Sequence, residues 1–122
     1  MKAKGTILSV SRHETVLRLR NAVLQQAGFN ILTTRDSSEA LSLLEKNAVD
    51  AVVLGDSIPR TERHLLAKKL RAAREVPVVM IYRNGEDSPL SGAAHSYIAA
   101  LDSPETLVRE LQRLLPTLNK KK

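Results

Sequence analysis

The chain has 122 residues, 43% hydrophobic and 26% charged, with no cysteine and 2% aromatic residues. That is one domain's length with material for a core; it excludes a disordered chain, a disulfide scaffold, thiolate metal sites and cysteine nucleophiles. The formal net charge is +6, yet without Lys2, Lys4, Lys120, Lys121 and Lys122 fourteen basic residues face thirteen acidic ones, so the body is nearly neutral.

Residues 1–118 read as one domain and 119–122 as a basic tail. The tail reads as a solvated terminus, with a nucleic-acid or acidic-partner contact as the alternative. Phe29, Tyr82 and Tyr97 are the aromatic residues. The core is therefore aliphatic, and stacking platforms for single-stranded nucleic acid are not expected. No apolar run approaches a membrane span, and the N-terminus lacks the long apolar stretch of a signal peptide. A cytoplasmic protein with no membrane contact is the expectation.

Thr6–Val10 reads as a strand. Glu14–Ala27 reads as a helix, with Val16, Leu19, Val23 and Ala27 near one stripe, and Gly28 follows as a C′ residue. Phe29–Thr33 is a second strand. Asp36 offers an N-cap, with Glu39 as capping-box partner, to a helix Ser37–Lys46 carrying Ala40, Leu41 and Leu44 inward. The unbroken apolar run Ala51–Leu54 suits a strand covered on both faces.

After a loop Gly55–Arg60, Glu62–Ala73 forms a third helix with Leu65, Leu66 and Leu70 apolar. Val76–Tyr82 is the strongest strand. Arg83–Ala94 holds Gly85, Pro89 and Gly92, so a long helix there is disfavoured. Ser96–Ala99 is a fifth strand. Ser103-Pro104-Glu105 starts a last helix through Leu107, Leu111, Leu114 and Leu115, which Pro116 ends.

Strands alternating with helices imply repeated β-α-β crossovers, hence a doubly wound α/β fold with a parallel five-stranded sheet. In such sheets ligands sit beyond the carboxyl ends of the strands, at the switch point of strand order. Those ends are Ser11-Arg12-His13, Gly55-Asp56-Ser57, Tyr82-Arg83-Asn84 and Ala99-Ala100. His13, His64 and His95 lack metal-ligand spacing and read as surface or boundary residues. Neither a nucleophile elbow nor a phosphate-cradling glycine loop is present. Arg60–Glu75 carries six basic and two acidic residues. Lys68, Lys69, Arg71 and Arg74 in that run could contact nucleic acid, though such runs are more often a solvated helix face.

Four stretches carry a family resemblance: Ile7–Arg12, Asp50–Gly55 with Pro59 four residues on, Pro77–Tyr82, and Tyr97–Leu101 followed by Ser103-Pro104-Glu105. Over about residues 5–116 the chain resembles a response-regulator receiver domain, the phospho-accepting module of two-component signalling. The resemblance implies a flavodoxin-like, receiver-type sheet of order 2-1-3-4-5, here with the family's fourth helix short or missing. It also implies a protein partner in a phosphorelay, a histidine kinase or an output protein, and a homodimer is possible. The family's Mg²⁺-holding acids align with Ser11 and Arg12, its phospho-acceptor with Gly55, its switch hydroxyl with Tyr82 and its lysine with Ala100.

Every one of those positions departs from the family pattern. Mg²⁺ wants carboxylate oxygens, and Arg12 would repel it. A pseudo-receiver is expected, with no metal, no cofactor and no enzymatic activity, acting by protein contact. Arg12 and Arg83, offset by Asp56 alone, would favour an anion. Asp56 lies one residue past the acceptor position, which turns its side chain to the other face unless Gly55 allows a bulge. The alternatives are therefore a phospho-receiver using Asp56 and a small basic nucleic-acid-binding module.

Overall fold

The computed structural model describes residues 5–83, 94–100 and 103–115. In chain order they form β1 (Thr6–Val10), α1 (Glu14–Gln26), β2 (Asn30–Thr34), α2 (Ser37–Lys46), β3 (Ala51–Leu54), α3 (Arg60–Ala73), β4 (Val78–Tyr82), β5 (Ser96–Ala99) and α4 (Pro104–Leu114). The sheet order is β2-β1-β3-β4-β5, and every pair is parallel. The segment 84–93, expected to hold a short helix or none, and the tail 119–122 lie outside the described residues. Among the described residues no helix is long and apolar enough to cross a membrane.

Alternation along the strands sorts the core into two layers. Leu8, Val52, Val78 and Met80 face one side, where Ala40 and Leu44 of α2 and Leu66, Ala67 and Leu70 of α3 cover them. Ile7, Ala51, Val53, Val79 and Ile81 face the other, under Leu24 of α1 and Leu107 and Leu111 of α4. Because both faces are covered, β3 is apolar throughout and fully buried.

Several local expectations are corrected. α1 turns Leu17 and Leu24 to the core. Its Val16 and Leu19 are 37% and 66% exposed, because Leu17 and Leu24, two turns apart, define the sheet-facing side. Leu65 is likewise exposed while Leu66 and Leu70 are buried. Asp36 caps α2 through the Ser38 amide, 3.1 Å, but Glu39 accepts from the Thr34 hydroxyl. The Asp36 amide that a capping box would use donates instead to Thr34 Oγ1, 3.1 Å. β2 begins one residue later than expected, after the buried Phe29. Gly28 takes φ 102° at the end of α1, the left-handed conformation that favours glycine there.

Candidate functional site

The carboxyl ends of β1 and β3 sit side by side at the centre of the sheet. Val10 pairs with Leu54, and the Gly55 amide continues the ladder to the Val10 carbonyl at 2.8 Å. The next residues, Ser11 and Gly55, are both buried. A Cβ placed on Gly55 would lie 3.1 Å from Ser11 Cβ, Ser11 Oγ and Arg20 Nη1. The position that the resemblance assigns to an acidic acceptor is thus closed in by a hydroxyl and a guanidinium.

Arg20 reaches this spot from α1. The helical period puts it on the same side as Val16 and Val23, four residues after one and three before the other. Its Nη1 is buried with no hydrogen-bond partner among the described residues. Burial pulls the guanidinium's pKa below its ordinary value, and the charge of Asp56 opposes that shift.

Ser57 ties the two loops together. Its Oγ lies 2.8 Å from Ser11 Oγ and accepts from the amides of Arg12, 2.8 Å, and His13, 3.2 Å. These are amides at the start of α1, which have no partner inside the helix. From below, Arg63 of α3 holds the β3–α3 loop. It is 1% exposed and donates to the Ile58 carbonyl from Nε, 3.1 Å, and Nη2, 3.0 Å, and to the Asp56 carbonyl at 3.3 Å.

The two arginines expected to converge on an anion each meet a carboxylate. Arg12 pairs with Glu62, which also accepts from Ser37 Oγ at 2.7 Å. Arg83 donates to the Asp56 carbonyl at 2.9 Å, and its Nε lies 3.7 Å from Asp56 Oδ2. The cleft therefore has a second acid, Glu62, and an internal cation, Arg20, beside the residues expected from sequence. Tyr82 is half-buried at the end of β4, and its carbonyl accepts from the Ala100 amide at 2.8 Å. The aligned positions Ser11, Arg12, Gly55, Tyr82 and Ala100 all lie along the carboxyl edge of the sheet, with Ser11 and Gly55 touching.

Arg63 and Arg20 were not among the residues expected from sequence, and Ser57 was named only as a strand-end position without its bonding role. Ser57 is three residues beyond the end of β3, a usual place for a loop-closing hydroxyl. Arg20 carried a signal as the one basic residue inside the Val16–Val23 stripe. Arg63 carried one as a cation one turn before the buried Ala67.

Known proteins resemble this chain in sequence and in fold. The chain is 27% identical over 113 residues to the regulatory protein VanRc of Enterococcus gallinarum, covering 89% of this chain and 49% of that protein. It is 26% identical over 113 residues to the transcriptional regulatory protein SrrA of Staphylococcus aureus, covering 89% and 47%. The chain spans about half the length of these curated relatives.

Among solved structures, a receiver domain protein from Clostridium thermocellum superposes with a TM-score of 0.84 at 18% identity, covering 94% of this chain and 97% of that one. A CheY-like receiver domain protein from Methanospirillum hungatei gives 0.81 at 18% identity, with 97% and 99% covered. The sequence profile of the response regulator receiver domain matches residues 7–100. With the fold, the strand order and that match in hand, the chain belongs to the response regulator receiver domain family.

Proposed function

We propose that this receiver domain signals by protein contact and is not itself phosphorylated. The observation that carries the reading is Arg20 Nη1 lodged beside Gly55. Phosphoryl transfer to a carboxylate depends on a divalent ion that neutralises charge on the phosphoryl oxygens. Such an ion takes hard oxygen ligands, carboxylates above all. Here the positions aligned with the family's metal-holding acids offer the Ser11 hydroxyl and the Arg12 guanidinium, and the two carboxylates nearby, Asp56 and Glu62, are paired with Arg83 and Arg12, a donor set that does not fit the ion. Asp56 does not supply the missing acceptor, because its carboxylate leans toward Arg83 and its carbonyl is held by Arg63 and Arg83.

Protein contact has a surface to use. Val16, Leu19 and Val23 of α1, with Pro104 and Leu107 of α4, line a mostly apolar surface cavity of about 380 Å³. Apolar side chains left at the surface around such a recess are available to a partner's apolar groups. The partner is a kinase, an output protein or a second copy of the chain, and the work is done in the cytoplasm without cofactor or catalysis. The relatives bear the names of regulatory proteins, which supports a place in a two-component pathway.

The test is incubation with acetyl phosphate and Mg²⁺ followed by intact mass measurement. No phosphoryl adduct is expected. An adduct that disappears in Asp56→Asn would overturn the reading in favour of a displaced acceptor.

A further inference from the structure

We infer that the solvent face of α3 docks an acidic protein segment carrying an apolar side chain. The helix divides by face. Arg63, Leu66, Ala67 and Leu70 are buried. Thr61, Leu65, Lys68 and Lys69 are exposed, and spacings of three and four residues place them on one side.

Leu65 sits in the middle of that side, 52% exposed, and forms a wall of two surface cavities. One, of about 290 Å³, lies between α3 and α2 and is bounded by Ser37, Ser38, Leu41 and Lys69. The other, of about 370 Å³, is bounded by Arg60, Thr61, His64 and Lys68. An apolar ridge with a recess on each side can seat an apolar side chain of a partner, which removes that surface from water.

The charge around the ridge selects the partner. The lysines bounding the two recesses are Lys68 and Lys69, and the carboxylate among the walls, Glu62, is already engaged by Arg12 and Ser37. The basic run of this helix thus splits by role. Arg63 and Arg74 serve the fold: Arg63 holds the Asp56 and Ile58 carbonyls, and Arg74 donates to the Leu44 and Asn47 carbonyls at the end of α2. Lys68 and Lys69 make neither bond. They stand on either side of the Leu65 ridge, where carboxylates flanking an inserted leucine would meet them. Nucleic acid would engage the cations through phosphates and gain nothing from Leu65, so a polypeptide fits better. The inference is independent of whether Asp56 accepts a phosphoryl group: of the residues around the two recesses only Glu62 also belongs to the cleft, and it is paired with Arg12.

The test uses the full chain at low salt and fluorescence anisotropy with three labelled probes. These are the peptide Glu-Glu-Leu-Glu-Glu-Leu-Glu-Glu, an octaglutamate, and a short DNA duplex. The leucine-bearing peptide is expected to bind about tenfold more tightly than octaglutamate, the equivalent of ~1.4 kcal/mol. Lys68→Glu with Lys69→Glu is expected to abolish saturable binding. Leu65→Ser is expected to bring the leucine peptide down to the octaglutamate level. All three positions are exposed, so thermal unfolding should match the wild type and separate lost binding from lost folding. The proposal is overturned if no peptide binds saturably, if the two peptides bind alike, if the variants bind as the wild type does, or if the duplex binds more tightly through the same residues.

Discussion

Replacing Arg20 with methionine should stabilise the domain. The guanidinium occupies a buried position beside Gly55, and its Nη1 has no hydrogen-bond partner among the described residues. An orphaned buried donor costs about 1–3 kcal/mol, and more when charged. Methionine has similar reach, no donor and enough flexibility to fill the same space. The loss to set against this is the attraction between Arg20 and Asp56. Both residues are half-buried, and pairs of that kind contribute about 1 kcal/mol or less. The balance favours Arg20→Met by about 1 kcal/mol, or about 4 °C in Tm for a chain of this size. Urea unfolding with a shared m-value, checked by calorimetry, measures it. Arg20→Lys, which keeps a buried cation, should show no gain. A loss of more than about 1 kcal/mol in Arg20→Met at unchanged m would refute the reasoning, since it would mean the guanidinium has a counterpart in the cleft.

Two further outcomes follow from the same contacts. Arg63→Met should lose about 2–4 kcal/mol, because it strips the Ile58 carbonyl of its buried charged donor; a shift in urea midpoint worth under 1 kcal/mol would show that Arg63 does not clamp the β3–α3 loop. His95 Nδ1 accepts from the Val78 amide at 3.0 Å, and burial, helped by Arg71 and opposed by Glu75, holds its pKa below the ordinary 6.5. The fold thus favours the neutral ring. Its contribution is intact above pH 6.5 and declines as the pH falls through the lowered folded value, because the unfolded chain takes up the proton first. His95→Gln, which keeps an acceptor, should flatten that acid slope in a pH series of urea midpoints; an unchanged slope would count against the assignment.

Much of the fold was legible because its signals were local. Asp36 before a periodic run marked the start of α2, and its end at Lys46 was read to the residue. The apolar block Ala51–Leu54 suited a strand covered on both faces, and it is one. The face of α1 was not legible. Val16, Leu19 and Val23 recur as regularly as Leu17 and Leu24 do, and only packing against the sheet decides between the two sets. The strand ends marked the segments around Ser11 and Gly55, and the family resemblance assigned those two positions; the structure places them together. Arg20, Arg63 and the bonding role of Ser57 were missed for one reason. Each acts on a partner more than three residues away, on another element or across a loop: Ser57 on Ser11 and Arg12, Arg63 on Ile58 and Asp56, Arg20 beside Gly55. Such pairings depend on tertiary geometry that periodicity does not encode.

The Arg20 guanidinium and the Ser11 hydroxyl border Gly55, the position aligned with the family's phospho-acceptor, and the proposed reading is that no Mg²⁺ binds there. Amide shifts followed during a Mg²⁺ titration, with and without beryllofluoride, test it most directly. No saturable shifts are expected at residues 11–13 and 55–57. Specific, saturable shifts at those residues, strengthened by beryllofluoride and lost in Asp56→Asn, would contradict it.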